Sequence, residues 1–580
     1  MSENKKILLT AINAKYIHSN LAVYSLKKYA EGTGADIEIA EYTINQYITD
    51  IVQSIYLKKP QIIAFSCYIW NRHHVGRVIE DIAKVLPDTE IWVGGPEGSY
   101  KAAAFMEEYP EITGIMIGEG ENIFKNLVYY YTQEAPLLST IKGIIYRNRE
   151  NGKIITNPPE PLLDMSSIPF PYDNLEPFRN KIIYYESSRG CPFSCSYCLS
   201  SIEKKLRFRN TELVKRELKI FIDNNIPQVK FVDRTFNCKK SHAMEIWKFI
   251  LEQDNGITNF HFEISADLLD DEALELLSRM RPGLVQFEIG VQSTNPMTIT
   301  EIERTMNTER LKTVVDRING FGNIHQHLDL IAGLPYEDFD SFKKSFNDVY
   351  AMKPEQLQLG FLKVLSGANM ELRAESYGLV YSSHPPYEVL YTKWLSYDEI
   401  LKLKKIEHVV EIYYNSRQFT NTISYLENVF ESPFEMYEQL AAHYAAAAPN
   451  GEKHSRIARY DLLLEFIENQ YEEIPLFYCE LLMYDVYLRE NIKTRPAYFQ
   501  NESSPEVKNI YRHYKEQGKN VHIEKFHYDI RNYSEAVKKN DEVLIKKGPE
   551  KRENYVLFDY GIRDKINHEA GVCRIFPEEF

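Results

Sequence analysis

No stretch of this 580-residue chain approaches the run of about 20 apolar residues needed to cross a bilayer, so no membrane-spanning helix is expected. Cysteine is scarce, at seven residues. That excludes a disulfide-stapled scaffold and suits a reducing cytosol, so a cytoplasmic location is the expectation. Positive charge is short too. Lys+Arg 68 against Asp+Glu 83 leaves a net −15, which argues against a protein that tracks nucleic-acid phosphates. No 20–50-residue repeat is visible, which sets solenoids and propellers aside. The opening MSENKKILLTAINAKY has only a brief apolar stretch before Asn13 and Lys15 and reads as a first strand rather than a secretory signal. What is present is ordinary for a globular chain, 44% apolar and 26% charged, and the length calls for three or four domains.

Strand and helix signals alternate over residues 1–137. KILLTAI (6–12), DIEIAEYTI (36–44), QIIAFSCYIW (61–70), EIWVGG (90–95) and GIMIGEG (114–120) read as five strands separated by amphipathic segments. That βαβ rhythm predicts a doubly wound parallel sheet of Rossmann-like type. Residues 138–180 carry Pro158, Pro159, Pro161, Pro169 and Pro171 and read as an extended linker. A second series spans 181–378, with strands expected at 181–188, 228–233, 259–265, 284–291, 324–333 and 356–364. Six strand-plus-helix units predict a partial TIM-type barrel, (β/α)6, with reactive groups at the carboxyl ends of its strands. Residues 379–580 read as mainly helical, with a small sheet near 521–530 and 554–561, and carry no motif legible as chemistry.

Three of the seven cysteines fall within eight positions, Cys191, Cys195 and Cys198 in SSRGCPFSCSYCLSS. They directly follow the first strand of the second series, on the kind of loop where barrels place chemistry. Thiolates are soft ligands for zinc, Cu(I) or iron–sulfur clusters. A structural zinc site wants a fourth ligand, usually from a second C-x-x-C or a His pair, and none is nearby. Three thiolates on one loop suit a cubane whose fourth iron is left open.

The C-x-x-x-C-x-x-C spacing, with Tyr197 before the last Cys and Arg189-Gly190 in front, resembles the radical S-adenosylmethionine (SAM) superfamily. The resemblance implies a [4Fe–4S] cluster that binds SAM and, with an electron from a donor such as flavodoxin or ferredoxin, cleaves it to a 5′-deoxyadenosyl radical. FVDRTFN (231–237), HFEIS (261–265), GVQS (290–293) and LDLIAGLPYED (328–338) resemble later strand-end segments of that superfamily. They imply SAM-binding roles for Asp233, Glu263, Gln292, Ser293 and Gly333, with Pro335 shaping the same backbone.

A five-stranded parallel domain before such a barrel resembles the cobalamin-binding domain of the B12-dependent radical SAM group. The resemblance covers roughly residues 5–375 and implies cobalamin contacts at Ser66, Gly94, Gly95, Gly118, Glu119 and Gly120. One departure is plain. Where some cobalamin domains carry D-x-H-x-x-G, this chain has Tyr16-Ile17-His18-Ser19-Asn20-Leu21, keeping the His without the Asp or the Gly. The Asp normally orients the imidazole, so His18 is expected to be a capping or pocket residue rather than a cobalt ligand. Cys67 and Trp70 lie near the corrin side on this reading, with ordinary packing the alternative. The tRNA methylthiotransferases are disfavoured, because their first domain supplies three cysteines and this one has only Cys67. The expected function is C-methylation of an unactivated carbon of a small molecule. The alternative is a B12 radical SAM enzyme that rearranges, cyclises or reduces its substrate. No membrane partner is expected, and a nucleic-acid substrate is disfavoured.

Overall fold

The strand Lys6–Asn13 sends Ile7, Leu9 and Ala11 into one buried cluster and Leu8 and Ile12 into another, as the two-residue period of a strand requires. Burial on both faces is characteristic of a parallel sheet covered by helices. In the computed structural model, which describes residues 5–448, 454–492, 495–496, 499, 505–564 and 567–576, this strand lies between Asp36–Thr43 and Ile62–Ser66. Glu90–Gly94 and Gly114–Met116 follow outward, all parallel.

The expected linker 138–180 is not wholly a linker. Ile144–Arg147 and Ile154–Thr156 add two antiparallel strands and bring the sheet to seven. Ile144 and Ile145 are buried against the sheet, and that burial outweighs the proline-rich character of the chain just beyond.

The second series forms a six-stranded parallel sheet in sequence order: Ile183–Tyr185, Gln228–Phe231, Asn259–Ile264, Val285–Gln292, His325–Ala332 and Gln356–Phe361. Five of the six strands fall within the segments expected for them and Val285–Gln292 runs one residue past its own, giving the partial barrel. Its outer face is apolar and covered by helices. Phe231, Phe260, Phe262, Phe287, Leu328 and Leu357 are fully buried there.

The C-terminal part packs helices Tyr397–Val410, Pro433–Ala447, Arg456–Glu468 and Leu476–Arg489 onto the barrel and ends in a three-stranded antiparallel sheet. One hydrophobic core runs without a break from Ile183 in the barrel to Leu488 and Phe558. Asn415 also clamps the edge strand, its Oδ1 accepting from Leu357 N and its Nδ2 donating to Leu357 O, both at 2.9 Å. An open sheet edge is a liability, and this domain covers it.

Candidate active site

The first barrel strand ends at Tyr185. Immediately beyond, Ser187 and Ser188 fasten the chain to the second strand end. The Asp233 carboxylate accepts from Ser187 N at 2.9 Å, from Ser187 Oγ at 2.7 Å and from Ser188 Oγ. Asp233 is fully buried, and burial pushes its pKa up to about 6. These three bonds give Asp233 a positioning role at the base of the cysteine loop and leave one acceptor site on Oδ2.

Gly190 follows at φ +91°, where a Cβ would stand 2.7 Å from the Lys205 carbonyl, so only glycine fits. The loop then carries Cys191 and Cys195, both buried, and Cys198, partly exposed, all three as free thiols. Two backbone bonds hold its middle: Ser196 N to Ile302 O at 2.9 Å, and Met370 N to Ser196 O at 2.8 Å. Arg304 reaches in from the far side of the barrel. One guanidinium nitrogen stands 3.8 Å from Cys195 Sγ and 3.3 Å from the Tyr197 hydroxyl, and the other donates to Gly290 O. Burial raises the pKa of the Cys195 thiol, and the Arg304 cation opposes that rise.

Three thiolates sharing a single ion would lie about 4 Å apart at a Zn–S length of about 2.3 Å. Among the described residues no three His, Cys, Asp or Glu side chains are grouped to hold one ion. A soft, three-thiol donor set on one loop fits an iron–sulfur cluster.

The other barrel residues divide. Gln292 adopts φ 72° at a register shift between Gly290 and Gln292, and its buried Oε1 has no partner, leaving an acceptor free for a ligand. Glu263 is half-buried on the concave face, and burial pushes its pKa up to about 7. Ser293 is fully buried and donates to Glu337 at 2.6 Å, which braces the strand end. Gly333, at φ +91°, leaves room for Val389, whose Cγ1 would be 2.8 Å from a Cβ. That packing requires a glycine here.

In the N-terminal sheet the carboxyl edge forms a cradle. Ser66 is buried, and its hydroxyl accepts from Asn20 Nδ2 at 3.1 Å. Gly95, at φ +101°, lies so close over Cys67 that a Cβ would meet Cys67 O at 2.5 Å. Gly94 passes Met116, and Gly118, at φ +89°, has nothing within 4 Å of a Cβ, so its backbone borders open space. Gly120 opens the helix Gly120–Gln133 against Leu26. A bare backbone edge of this kind fits a large flat ligand with a tail. Cys67 is fully buried and takes the packing role, whereas Trp70 is 43% exposed and stacks on Tyr68 at 4.5 Å.

Glu119 is held by protein partners. Its carboxylate is committed to Arg207 at 2.5 Å and Arg189 at 3.4 Å and accepts from Leu163 N at 2.8 Å. Beside it, Glu121 pairs with Arg189 at 2.5 Å. Other loops of the same edge also reach the barrel or the chain just beyond it. His18 Nδ1 lies 2.7 Å from the Tyr184 hydroxyl, Tyr387 donates to Glu97 at 2.9 Å, and the Tyr100 ring closes over Gly367. The carboxyl edge of the sheet therefore faces the carboxyl ends of the barrel strands, around the cysteine loop. Burial lowers the pKa of His18, and its Nδ1 is occupied by Tyr184, which suits the pocket role expected for it.

Arg304 and the pairing of Arg189 and Arg207 with Glu119 and Glu121 were not legible in the sequence. Each links segments 68 to 109 positions apart, and no local pattern announces such a pair.

Three family models match the chain: the B12 binding domain over residues 7–128, the radical SAM superfamily over 185–349, and a protein of unknown function (DUF4080) over 375–546. The chain is 25% identical over 369 residues to an uncharacterized methyltransferase, PH0819, of Pyrococcus horikoshii, covering 61% of this chain and 77% of that one. It is 23% identical over 404 residues to the cobalamin-dependent radical SAM methyltransferase TokK of Streptomyces tokunonensis, covering 65% of this chain but only 58% of TokK. Among solved structures, the cobalamin-dependent S-adenosylmethionine radical enzyme OxsB shares the fold with a TM-score of 0.58 at 17% identity, over 83% of this chain and 80% of OxsB.

Proposed function

We propose that this chain, which carries a B12 binding domain and a radical SAM domain and belongs to the cobalamin-dependent radical SAM proteins, is a C-methyltransferase acting on an unactivated carbon of a small molecule. One observation carries the reading. The glycine-lined edge of the sheet and the cysteine loop of the barrel face each other across a single junction. Two cofactor sites that must serve one carbon have to be within reach of one another.

In this reading Cys191, Cys195 and Cys198 hold a [4Fe–4S] cluster, Gln292 and Glu263 face SAM, and Ser66, Gly94, Gly95 and Gly118 receive cobalamin. When bound, these groups supply reductive cleavage of SAM to a 5′-deoxyadenosyl radical and a methyl group for the substrate carbon. The protein's own contribution is positioning. Asp233 and Arg304 fix the two ends of the cysteine loop, and Arg304 sets a positive charge beside Cys195. The ion pairs of Glu119 and Glu121 hold the sheet over the barrel and shield the junction from water, which would otherwise compete for every polar contact. An external one-electron donor such as flavodoxin or ferredoxin would complete the system.

The test is anaerobic reconstitution. Wild-type protein should bind about four irons per chain and retain cobalamin. It should form S-adenosylhomocysteine alongside 5′-deoxyadenosine when reduced. Cys191→Ala should lose both the cluster and SAM cleavage. Zinc without sulfide in the wild type defeats the proposal. 5′-Deoxyadenosine without S-adenosylhomocysteine moves the activity to rearrangement, cyclisation or reduction.

A further inference from the structure

Barrel interiors are ordinarily packed with bulky branched side chains. Here burial alternates residue by residue along Val285–Gln292, and it also alternates along Gln228–Phe231. The fully buried members are apolar and face the helices. Those on the concave face include Lys230, His261, Glu263, Glu288, His327 and Asp329.

The register places these groups together. Lys230 sits beside His261 on the neighbouring strand, Glu263 beside Glu288, and Glu288 beside His327. Lys230 Nζ is 2.8 Å from Glu288 Oε2, and His261 Nε2 is 3.1 Å from the same oxygen. His327 Nε2 is 3.1 Å from Asp329 Oδ1. His261 and His327 are each only 7% exposed. Replacing such buried ionic groups with apolar residues of like volume is commonly neutral or stabilising, so folding alone gives no reason to keep them.

The chemistry of the face is mixed. Lys230 donates to Glu288 and retains further donors, whereas His261 Nε2, His327 Nε2 and Asp329 Oδ1 are buried without a hydrogen-bond partner. An apolar ligand laid on this face would cover the exposed parts of these groups and offer no hydrogen bond to the unpartnered ones. A ligand with hydroxyl, amide or amino and carboxylate groups supplies such bonds.

Resting on the activity proposed above, we infer that the substrate is a compact, water-soluble molecule bearing several hydrogen-bonding groups, taken onto the concave face of the barrel and oriented by the Lys230–Glu288–His261 cluster and the His327–Asp329 pair. Lipids and isoprenoids are excluded by the same lack of hydrogen bonds.

The experiment uses holoprotein loaded with cluster and cobalamin. Protein-free cell extract is split into an aqueous and a chloroform-soluble fraction, and each is incubated with enzyme and reductant. A product heavier by one methylene is expected from the aqueous fraction, and that fraction should raise the unfolding temperature of the holoprotein. The double variant Lys230→Met/Glu288→Gln removes both charges together and so leaves no lone buried ion. Its iron and cobalamin content reports folding. The ratio of methylated product to 5′-deoxyadenosine should fall at least tenfold, and the aqueous fraction should no longer shift its unfolding temperature. Should the double variant fail to load, His327→Phe with the same readouts takes its place. Methylation in the chloroform fraction, or an unchanged ratio in the variant, overturns the inference while leaving the proposed activity standing. Absence of 5′-deoxyadenosine from loaded wild type overturns the activity and this inference with it.

Discussion

Gly190 concentrates two demands in one residue. Its φ of +91° lies where an L side chain costs about 1–2 kcal/mol, and its hypothetical Cβ would stand 2.7 Å from the Lys205 carbonyl, which is backbone and cannot swing away. The strain would fall directly on Cys191. Gly190→Ala is therefore expected to lower the iron bound after reconstitution by at least half. The cobalamin bound should remain at the wild-type level, since the cradle at Gly94, Gly95 and Gly118 belongs to another sheet. Full iron content in the variant would mean that the loop tolerates a different path. Iron and cobalamin analyses on the same sample decide the point. At this scale the sequence was informative about the three thiols and their spacing, because the ligands share one short loop. It did not show the protein partners of Asp233, Ser293 and Glu119. Polar residues at strand ends look alike in a sequence whether they face a ligand or, as here, Ser187, Glu337 and Arg207.

Among the elements, all six barrel strands were legible, because their apolar positions pack under helices and recur with period two. The polar face of the same strands was equally visible in QVKFVD and LVQFEIGV. Its meaning required the topology that lays Lys230 beside His261. Ile144–Arg147 and Ile154–Thr156 escaped notice because both are short and the second runs almost directly into Pro158 and Pro159. The C-terminal helices were legible as helices, but not how they are joined. The helix Leu476–Arg489 buries Asp485, whose carboxylate accepts from Asn421 N and Thr422 N at the start of the helix Thr420–Leu426 and from the Asn421 amide and Thr422 hydroxyl. Burial outweighs these four donors and pushes its pKa up to about 7. A carboxyl with a folded pKa raised above its unfolded value adds stability at low pH. That stability is lost as pH climbs from the unfolded value of about 4 towards the folded one. Asp485→Asn turns an amide donor towards donors and should cost about 1–3 kcal/mol near pH 5. The cost should shrink by roughly 1 kcal/mol or more by pH 7.5, because only the wild type pays for ionising the buried group. Urea unfolding at the two pH values measures both numbers, and a cost independent of pH would place the Asp485 pKa near its ordinary value.

For the whole molecule, the decisive arrangement is that two domains with separate cores meet edge to edge. The sheet has its own two buried clusters, and the barrel shares its core with the C-terminal domain. Leu21 and Tyr24 of the first domain pack on the barrel's core, Tyr24 against Tyr172 and Phe178, and ion pairs hold the junction beside the cysteine loop. Arg189 and Arg207 are only 17% and 11% exposed, and they face Glu119 and Glu121 at 15% and 5%. Glu119→Gln/Glu121→Gln leaves both guanidiniums largely buried, Arg207 without a carboxylate partner and Arg189 with Glu186 alone. Breaking buried pairs from one side costs about 3–5 kcal/mol, and here the cost is relieved by the domains moving apart. The expected outcome is a larger radius of gyration in small-angle scattering with iron content intact, since Cys191, Cys195 and Cys198 stay within the barrel. S-Adenosylhomocysteine formed per 5′-deoxyadenosine should drop at least tenfold, because transfer between two cofactor sites depends on their facing one another. An unchanged ratio in a molecule that has demonstrably opened would show that the cysteine loop and the glycine-lined edge work independently, and the proposed division of labour between sheet and barrel would fall with it.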